Sequence, residues 1–278
     1  MFKLKYLIVI IASFFLFSAC NKPSSSDNPE GNDSTQTSTS EVVEPEIKKN
    51  STVEILAKKQ VPVLCYHRIE NGRSDEYTVS LATFEAQIKV LADSGYMSIN
   101  PDEYYDYLVY NKELPEKPVM ISFDDSRVEH FTIGKPILEK YGFKGVFFIM
   151  TITYNKKNYM STEQLAELAK TGHTVGFHSW DHTRAIRYNN DSILRVNVIE
   201  PKNKLEEIIG KPVEYFAYPY GLTNAETTAQ MNDHFKMSFI LSTKQDTINP
   251  IQSVRRMIAP EWSPQSLIRA MEKTFSRR

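Results

Sequence analysis

Six short apolar runs, at Pro62–Tyr66, Pro118–Phe123, Gly145–Met150, Thr174–His178, Tyr215–Tyr218 and Met237–Ser242, alternate with stretches of helical spacing. Several are apolar almost without interruption, as strands are when both faces are covered. Between them, Phe84, Ile88 and Leu91 recur at helical spacing within Thr83–Ser94, and Gly95 follows as a stop. Ser161 and Gln164 form a capping box ahead of Leu165 and Leu168, and Gly172 closes that segment. A third helix is expected over Ser192–Ile209, kinked at Pro201 and stopped by Gly210. Strands alternating with helices predict an α/β fold with a parallel sheet or barrel, and the pattern alone does not choose between them.

The alternation does not reach the N-terminus. Residues 1–20 carry Lys3 and Lys5, an apolar run from Tyr6 to Phe17, and the small-residue exit Ser18-Ala19-Cys20. This is the layout of a secretory signal, and the run is shorter than the roughly 20 apolar residues that span a bilayer. Phe17-Ser18-Ala19-Cys20 resembles a bacterial lipobox, although Phe17 stands where an aliphatic residue is usual. A lipidated Cys20 would attach the protein to a membrane, giving an exported lipoprotein of the cell envelope, periplasmic or on the cell surface. Residues 21–59 begin with a long polar stretch rich in Ser, Thr, Asn and Asp, and are expected to form a disordered tether. The expected catalytic domain is 60–278.

The net charge of −1 offers no basic field for nucleic acid. Apart from Cys20 the one cysteine is Cys65, so no internal disulfide is available and the domain must stand on its core.

Three segments carry chemistry, each where an apolar run gives way to a loop. Parallel α/β folds place their sites at the carboxyl ends of strands. Asp124 and Asp125 end the second run; burying two adjacent carboxylates is costly unless a cation compensates them, but such a pair also caps helices. His178 and His182 follow the fourth run at a spacing that lets two imidazoles share an ion, or they are ordinary loop histidines. Tyr218-Pro219-Tyr220-Gly221 can aim a backbone N–H at an oxyanion, and equally fits a plain turn. Together, one Asp and two His make a three-ligand catalytic metal site, with the other Asp free as base toward water whose pKa the ion lowers to roughly 7. The same ligand count describes non-haem Fe(II) oxygenases.

Phe123-Asp124-Asp125, His178-Ser179-Trp180-Asp181-His182 and Tyr218-Pro219-Tyr220-Gly221, in this order, resemble the motifs of the polysaccharide deacetylase (NodB-type) family. Tyr66-His67-Arg68-Ile69 resembles the entry strand of its branch acting on N-acetylglucosamine polymers and peptidoglycan. The resemblance implies a distorted (β/α)7 barrel and a divalent ion, Zn²⁺ with Co²⁺ or Ni²⁺ as alternatives. It implies Asp124 as base, Asp125, His178 and His182 as metal ligands, the Tyr220 N–H as oxyanion donor, and an acetylated polysaccharide as substrate, losing N-acetyl or O-acetyl groups.

Three departures stand out. Ser126 occupies a position that is often Gly in the family, where a positive φ would strain it. The arginine that many members carry before the Pro-Tyr turn is absent at Phe216-Ala217, leaving Arg255 or Arg256 to substitute. No His occurs over 239–243, where many members supply a general acid, so His67 is the candidate and His234 reads as a surface residue. These departures also motivate an alternative, a non-catalytic glycan-binding protein with a degenerate site. A small-molecule amide hydrolase is a third reading.

Overall fold

The computed structural model describes residues 48–242 and 244–276; the expected signal segment, Cys20 and most of the expected tether lie outside them. The strands are β1 Val63–Tyr66, β2 Arg68–Ile69, β3 Thr78–Val79, β4 Met97–Ser98, β5 Pro118–Phe123, β6 Val146–Ile149, β7 Thr174–Phe177, β8 Tyr215–Ala217, β9 Met237–Leu241 and β10 Val254–Ile258. The helices are α1 Thr52–Ala57, α2 Leu81–Asp93, α3 Pro101–Tyr110, α4 Lys135–Lys140, α5 Thr162–Lys170, α6 Asp191–Leu194, α7 Glu200–Ile209, α8 Ala225–Met231 and α9 Pro264–Phe275.

Seven strands, β1 and β5 through β10, form a closed parallel barrel, because β1 pairs with both β5 and β10. The expected (β/α)7 barrel is the fold observed. β4 adds to the outside of β5, while β2 and β3 pair separately.

Strand periodicity sorts the barrel residues into two sets. Leu64, Ile121, Phe147, Val175 and Phe216 pack in one cluster with helix residues such as Phe84, Leu165, Leu205 and Leu267. The alternate positions Val63, Met120, Val146, Phe148, Ala217 and Phe239 form the second cluster, inside the barrel. Gly176 belongs to this inner phase for a steric reason: a Cβ there would lie 2.6 Å from the Phe148 ring. Ile55 of α1 and Tyr104, Leu108 and Val109 of α3 join the inner cluster at the end where strands begin, and the Val61 N–H donates to the Tyr104 hydroxyl. That end is plugged. The inner phase continues at the other end through Cys65, Asp124, His178 and Arg256, each two residues beyond an inward-facing strand position.

Two boundaries differ from expectation. The fold starts before Gln60: Ser51 and Glu54 make a capping box for α1, Ile55 is buried, and the Asn50 N–H bonds the Val109 carbonyl. The polar composition upstream masked this short amphipathic helix. The segment expected as one kinked helix over Ser192–Ile209 is α6, a π-helical stretch Arg195–Ile199, and α7. Pro201 has no N–H for the Asn197 carbonyl four residues back, so the helix widens ahead of it. The Asn197 carbonyl accepts the Trp180 N–H instead, at 3.1 Å. Among the described residues no helix is long and apolar enough to cross a membrane.

Candidate active site and metal centre

β5 ends at Phe123, and the next two residues diverge. The Asp124 N–H continues the sheet by bonding the Tyr66 carbonyl, which sends its side chain inward. The chain then turns through positive φ at Asp125 (72°) and Ser126 (60°). Among the described residues, eight non-glycine residues have positive φ. Three are asparagines, which tolerate it; the other five, Asp125, Ser126, Ser179, His182 and Tyr220, all sit in the three motif loops. Strain of this kind concentrates at functional sites. The departure at Ser126 acquires a reason here, because its buried Oγ accepts the Met150 N–H at 2.6 Å and ties the loop to the end of β6. Glycine would relieve the strain and orphan that donor.

His178 follows β7 and is buried; its Nδ1 lies 2.7 Å from the Ala217 carbonyl. A carbonyl only accepts, so Nδ1 carries the proton and Nε2 presents its lone pair to the site. Burial holds the His178 imidazole below its ordinary pKa, against the pull of Asp124 and Asp125, so the ring is neutral as a ligand must be. His182 is brought back by a turn in which its N–H bonds Ser179 Oγ at 2.9 Å. The Trp180 N–H grips the Asn197 carbonyl and the Trp180 carbonyl accepts the Ile152 N–H, which fixes the loop from both sides.

Asp125, His178 and His182 thereby converge, with ligand atoms within 4.8 Å of one another. Asp125 Oδ1 lies 3.6 Å from His178 Nε2 and 3.5 Å from His182 Nε2. These separations are long for hydrogen bonds. They match the roughly 3.4 Å between ligand atoms of a tetrahedral ion with bonds near 2.1 Å. The donor set, two imidazoles and a carboxylate on one side only, fits a divalent ion with open coordination positions.

Asp124 borders this set, with Oδ2 3.9 Å from His178 Nε2. It is 1% exposed and held by Arg256, whose Nη1 and Nη2 donate to Oδ1 and Oδ2 at 2.7 and 2.8 Å. Burial alone would raise the Asp124 carboxyl, but the guanidinium overrides it and holds the group well below the usual carboxylate range. Arg256 also donates to Ser122 Oγ and lies over the Phe148 ring at 5.1 Å. Of the two arginines offered by the sequence, Arg256 meets Asp124, whereas Arg255 donates to the Thr274 carbonyl.

Sequence reasoning passed over two neighbours. The Cys65 thiol, kept protonated by burial, donates to Asp124 Oδ2 at 3.5 Å. Buried His130 holds the first loop by bonding the His67 carbonyl from Nε2 at 2.7 Å. His67 stands beside Asp124, with Nε2 3.9 Å from Oδ2, and burial keeps its imidazole below the ordinary value. His234 is half-buried in the stretch after α8.

The Tyr218–Gly221 turn completes the mouth. The Tyr218 N–H bonds the Phe239 carbonyl and the Gly221 N–H bonds the Tyr218 carbonyl, with Tyr220 between them at φ 61°. Gly221 is required: its φ is 66°, and a Cβ would lie 2.3 Å from that of Leu241. The Tyr220 ring meets His182 edge-on at 4.5 Å, which places this turn against the imidazole pair.

Barrel and site together define a (β/α)7 protein with a three-residue group able to hold a metal ion and a clamped carboxylate beside it. Comparison with known proteins narrows this. Residues 111–236 match the polysaccharide deacetylase family model. A Bacillus subtilis protein named as a polysaccharide deacetylase, YxkH, is 30% identical over 168 residues, covering 60% of this chain and 59% of that one. The poly-beta-1,6-N-acetyl-D-glucosamine N-deacetylase of Staphylococcus aureus MRSA252 is 29% identical over 191 residues, covering 62% and 64%. Among solved structures, the Streptococcus pyogenes deacetylase PplD in complex with acetate aligns with a TM-score of 0.69 at 25% identity, covering 77% of this chain and 98% of that one. IcaB from Ammonifex degensii aligns at 0.66 with 25% identity, covering 78% and 97%. Residues 111–236 are thus similar to a polysaccharide deacetylase domain, and Asp125, His178 and His182 form a group that could hold a metal ion. The chain spans about three fifths of the length of the curated relatives it matches.

Proposed function

We propose that this protein is an exported, metal-dependent hydrolase that removes N-acetyl groups, with O-acetyl groups as the alternative, from a cell-envelope or extracellular polysaccharide such as an N-acetylglucosamine polymer or peptidoglycan. The observation that carries this is the juxtaposition of the Asp125–His178–His182 set with the Arg256-clamped Asp124. Two of the three departures that favoured a degenerate binding site are filled, by the Ser126 hydroxyl and by Arg256.

Asp125, His178 and His182 would hold the ion, Zn²⁺ being the metal that this ligand set suits best, with Co²⁺ or Ni²⁺ as alternatives. When bound, it supplies Lewis acidity, acidifying water and polarising the acetyl carbonyl. Asp124 takes the proton from the attacking water. The Arg256 clamp makes it a weak base, sufficient only for a water already made acidic, and makes its neutral form a strong acid. Protonated Asp124 is therefore suited to return that proton to the departing amine, with His67 the alternative donor. The Tyr220 N–H donates to the carbonyl oxygen as negative charge develops there.

The reading is tested by measuring acetate release from N-acetylglucosamine oligosaccharides together with metal content. The parent is expected to release acetate and to lose activity on chelation, recovering it with zinc or cobalt. His178→Ala is expected to lose both bound metal and acetate release. Full metal loading with no acetate from any acetylated glycan would favour the binding protein.

Lipid attachment through Cys20 rests on the basic start, the apolar run and the small residues before it. Cells fed a labelled fatty acid are expected to label the parent and not Cys20→Ser, which should leave the membrane fraction. Equal labelling of both would remove the anchor.

A further inference from the structure

A cavity of about 630 Å³ opens beside the site at the ends of β9 and β10, within the roughly 300–1,000 Å³ range of small-ligand sites. Asp75, Glu76, Leu241, Arg256, Glu261 and Trp262 are on its walls. Three contacts join it to the proposed chemistry. Arg256 clamps Asp124, Leu241 packs against Gly221 beneath the Tyr220 turn, and Tyr77, next to Glu76, meets the His67 ring at 5.1 Å.

Two properties of the walls select a ligand. Trp262 is 39% exposed, a large aromatic face left in water at the cavity's edge. The charge is one-sided. Arg256 is compensated by Asp124, and Asp75 by Arg73. Glu261 accepts from the Ser80 N–H and hydroxyl and the Thr83 hydroxyl, neutral donors that leave its charge uncompensated. Glu76 adds a second carboxylate, with the Tyr77 hydroxyl as a neutral partner.

We propose that this cavity binds the sugar adjoining the one being deacetylated, with Trp262 as its stacking platform, and that its carboxylates restrict the polymer to neutral or amino-sugar chains. A glycan with a carboxylate on the adjoining sugar meets like charge there; a chain already carrying free amines meets opposite charge. Among the polymers named above, this selects an N-acetylglucosamine homopolymer over peptidoglycan. The inference rests on the deacetylase reading.

The test uses the zinc-loaded protein and three probes: N-acetylglucosamine, its neutral tetrasaccharide, and a tetrasaccharide alternating N-acetylglucosamine with N-acetylmuramic acid. The neutral tetrasaccharide is expected to have the highest kcat/KM. Trp262→Ala should lower the ratio of tetrasaccharide to monosaccharide kcat/KM by about tenfold, while Trp262→Phe retains most of it. Glu76→Gln should raise the anionic-to-neutral ratio by about threefold. An unchanged ratio in Trp262→Ala, an equal loss in both Trp262 variants, or a parent preference for the anionic chain overturns the proposal. No acetate from any probe sinks the deacetylase reading, and the inference with it.

Discussion

Asp124→Asn is expected to lower kcat for acetate release by about 10²–10⁴-fold while the bound metal stays at the parent's level. The separation of these two readouts follows from the geometry. The converging ligand atoms belong to Asp125, His178 and His182, whereas both oxygens of Asp124, 3.9 Å from His178 at the nearest, are occupied by the Arg256 clamp. Asn keeps the size and one acceptor but cannot take a proton. Its amide N–H₂ also faces one of the two guanidinium donors, so some stability is lost, and the assay belongs well below the variant's Tm with folding checked by circular dichroism. His178→Ala is the contrasting case, expected to lose ion and activity together. Turnover retained in Asp124→Asn would take Asp124 out of the role of base.

The barrel was legible because its strands are buried on both faces. The six apolar runs correspond to β1, β5, β6, β7, β8 and β9, each within a residue at either end. The seventh barrel strand, β10, escaped that reading because Arg255 and Arg256 interrupt its apolar pattern. Arg256 is there for the site: an interior barrel position takes a guanidinium only if a carboxylate meets it, and the carboxylate comes from 132 residues earlier in the chain. Spacing statistics within one segment cannot show such a pair. Asp124 and His178, by contrast, followed directly on recognisable strands, where inward parity could be counted from Ser122 to Asp124 and from Gly176 to His178. Cys65 and His130 carried no motif; what places Cys65 against Asp124 is barrel closure through the β1–β5 pairing.

Arg256→Met is expected to destabilise the fold by about 3–5 kcal/mol near neutral pH, read as a lower urea midpoint with an unchanged slope. Methionine fills much of the volume and can lie on Phe148, so the cost is mainly electrostatic: Asp124 stays buried with its bidentate partner gone. The pH dependence has a definite sign. The folded carboxyl is depressed below its unfolded value near 3.9, so the clamp's contribution is fully present above about pH 4 and is lost as pH falls through the folded value. The stability gap between parent and Arg256→Met should therefore be widest above about pH 4 and narrow below it. A variant matching the parent's midpoint at pH 7, or a gap that widens toward acid, would mean that Arg256 does not hold Asp124 ionised. The weak-base, strong-acid character assigned to that carboxyl would then fall as well.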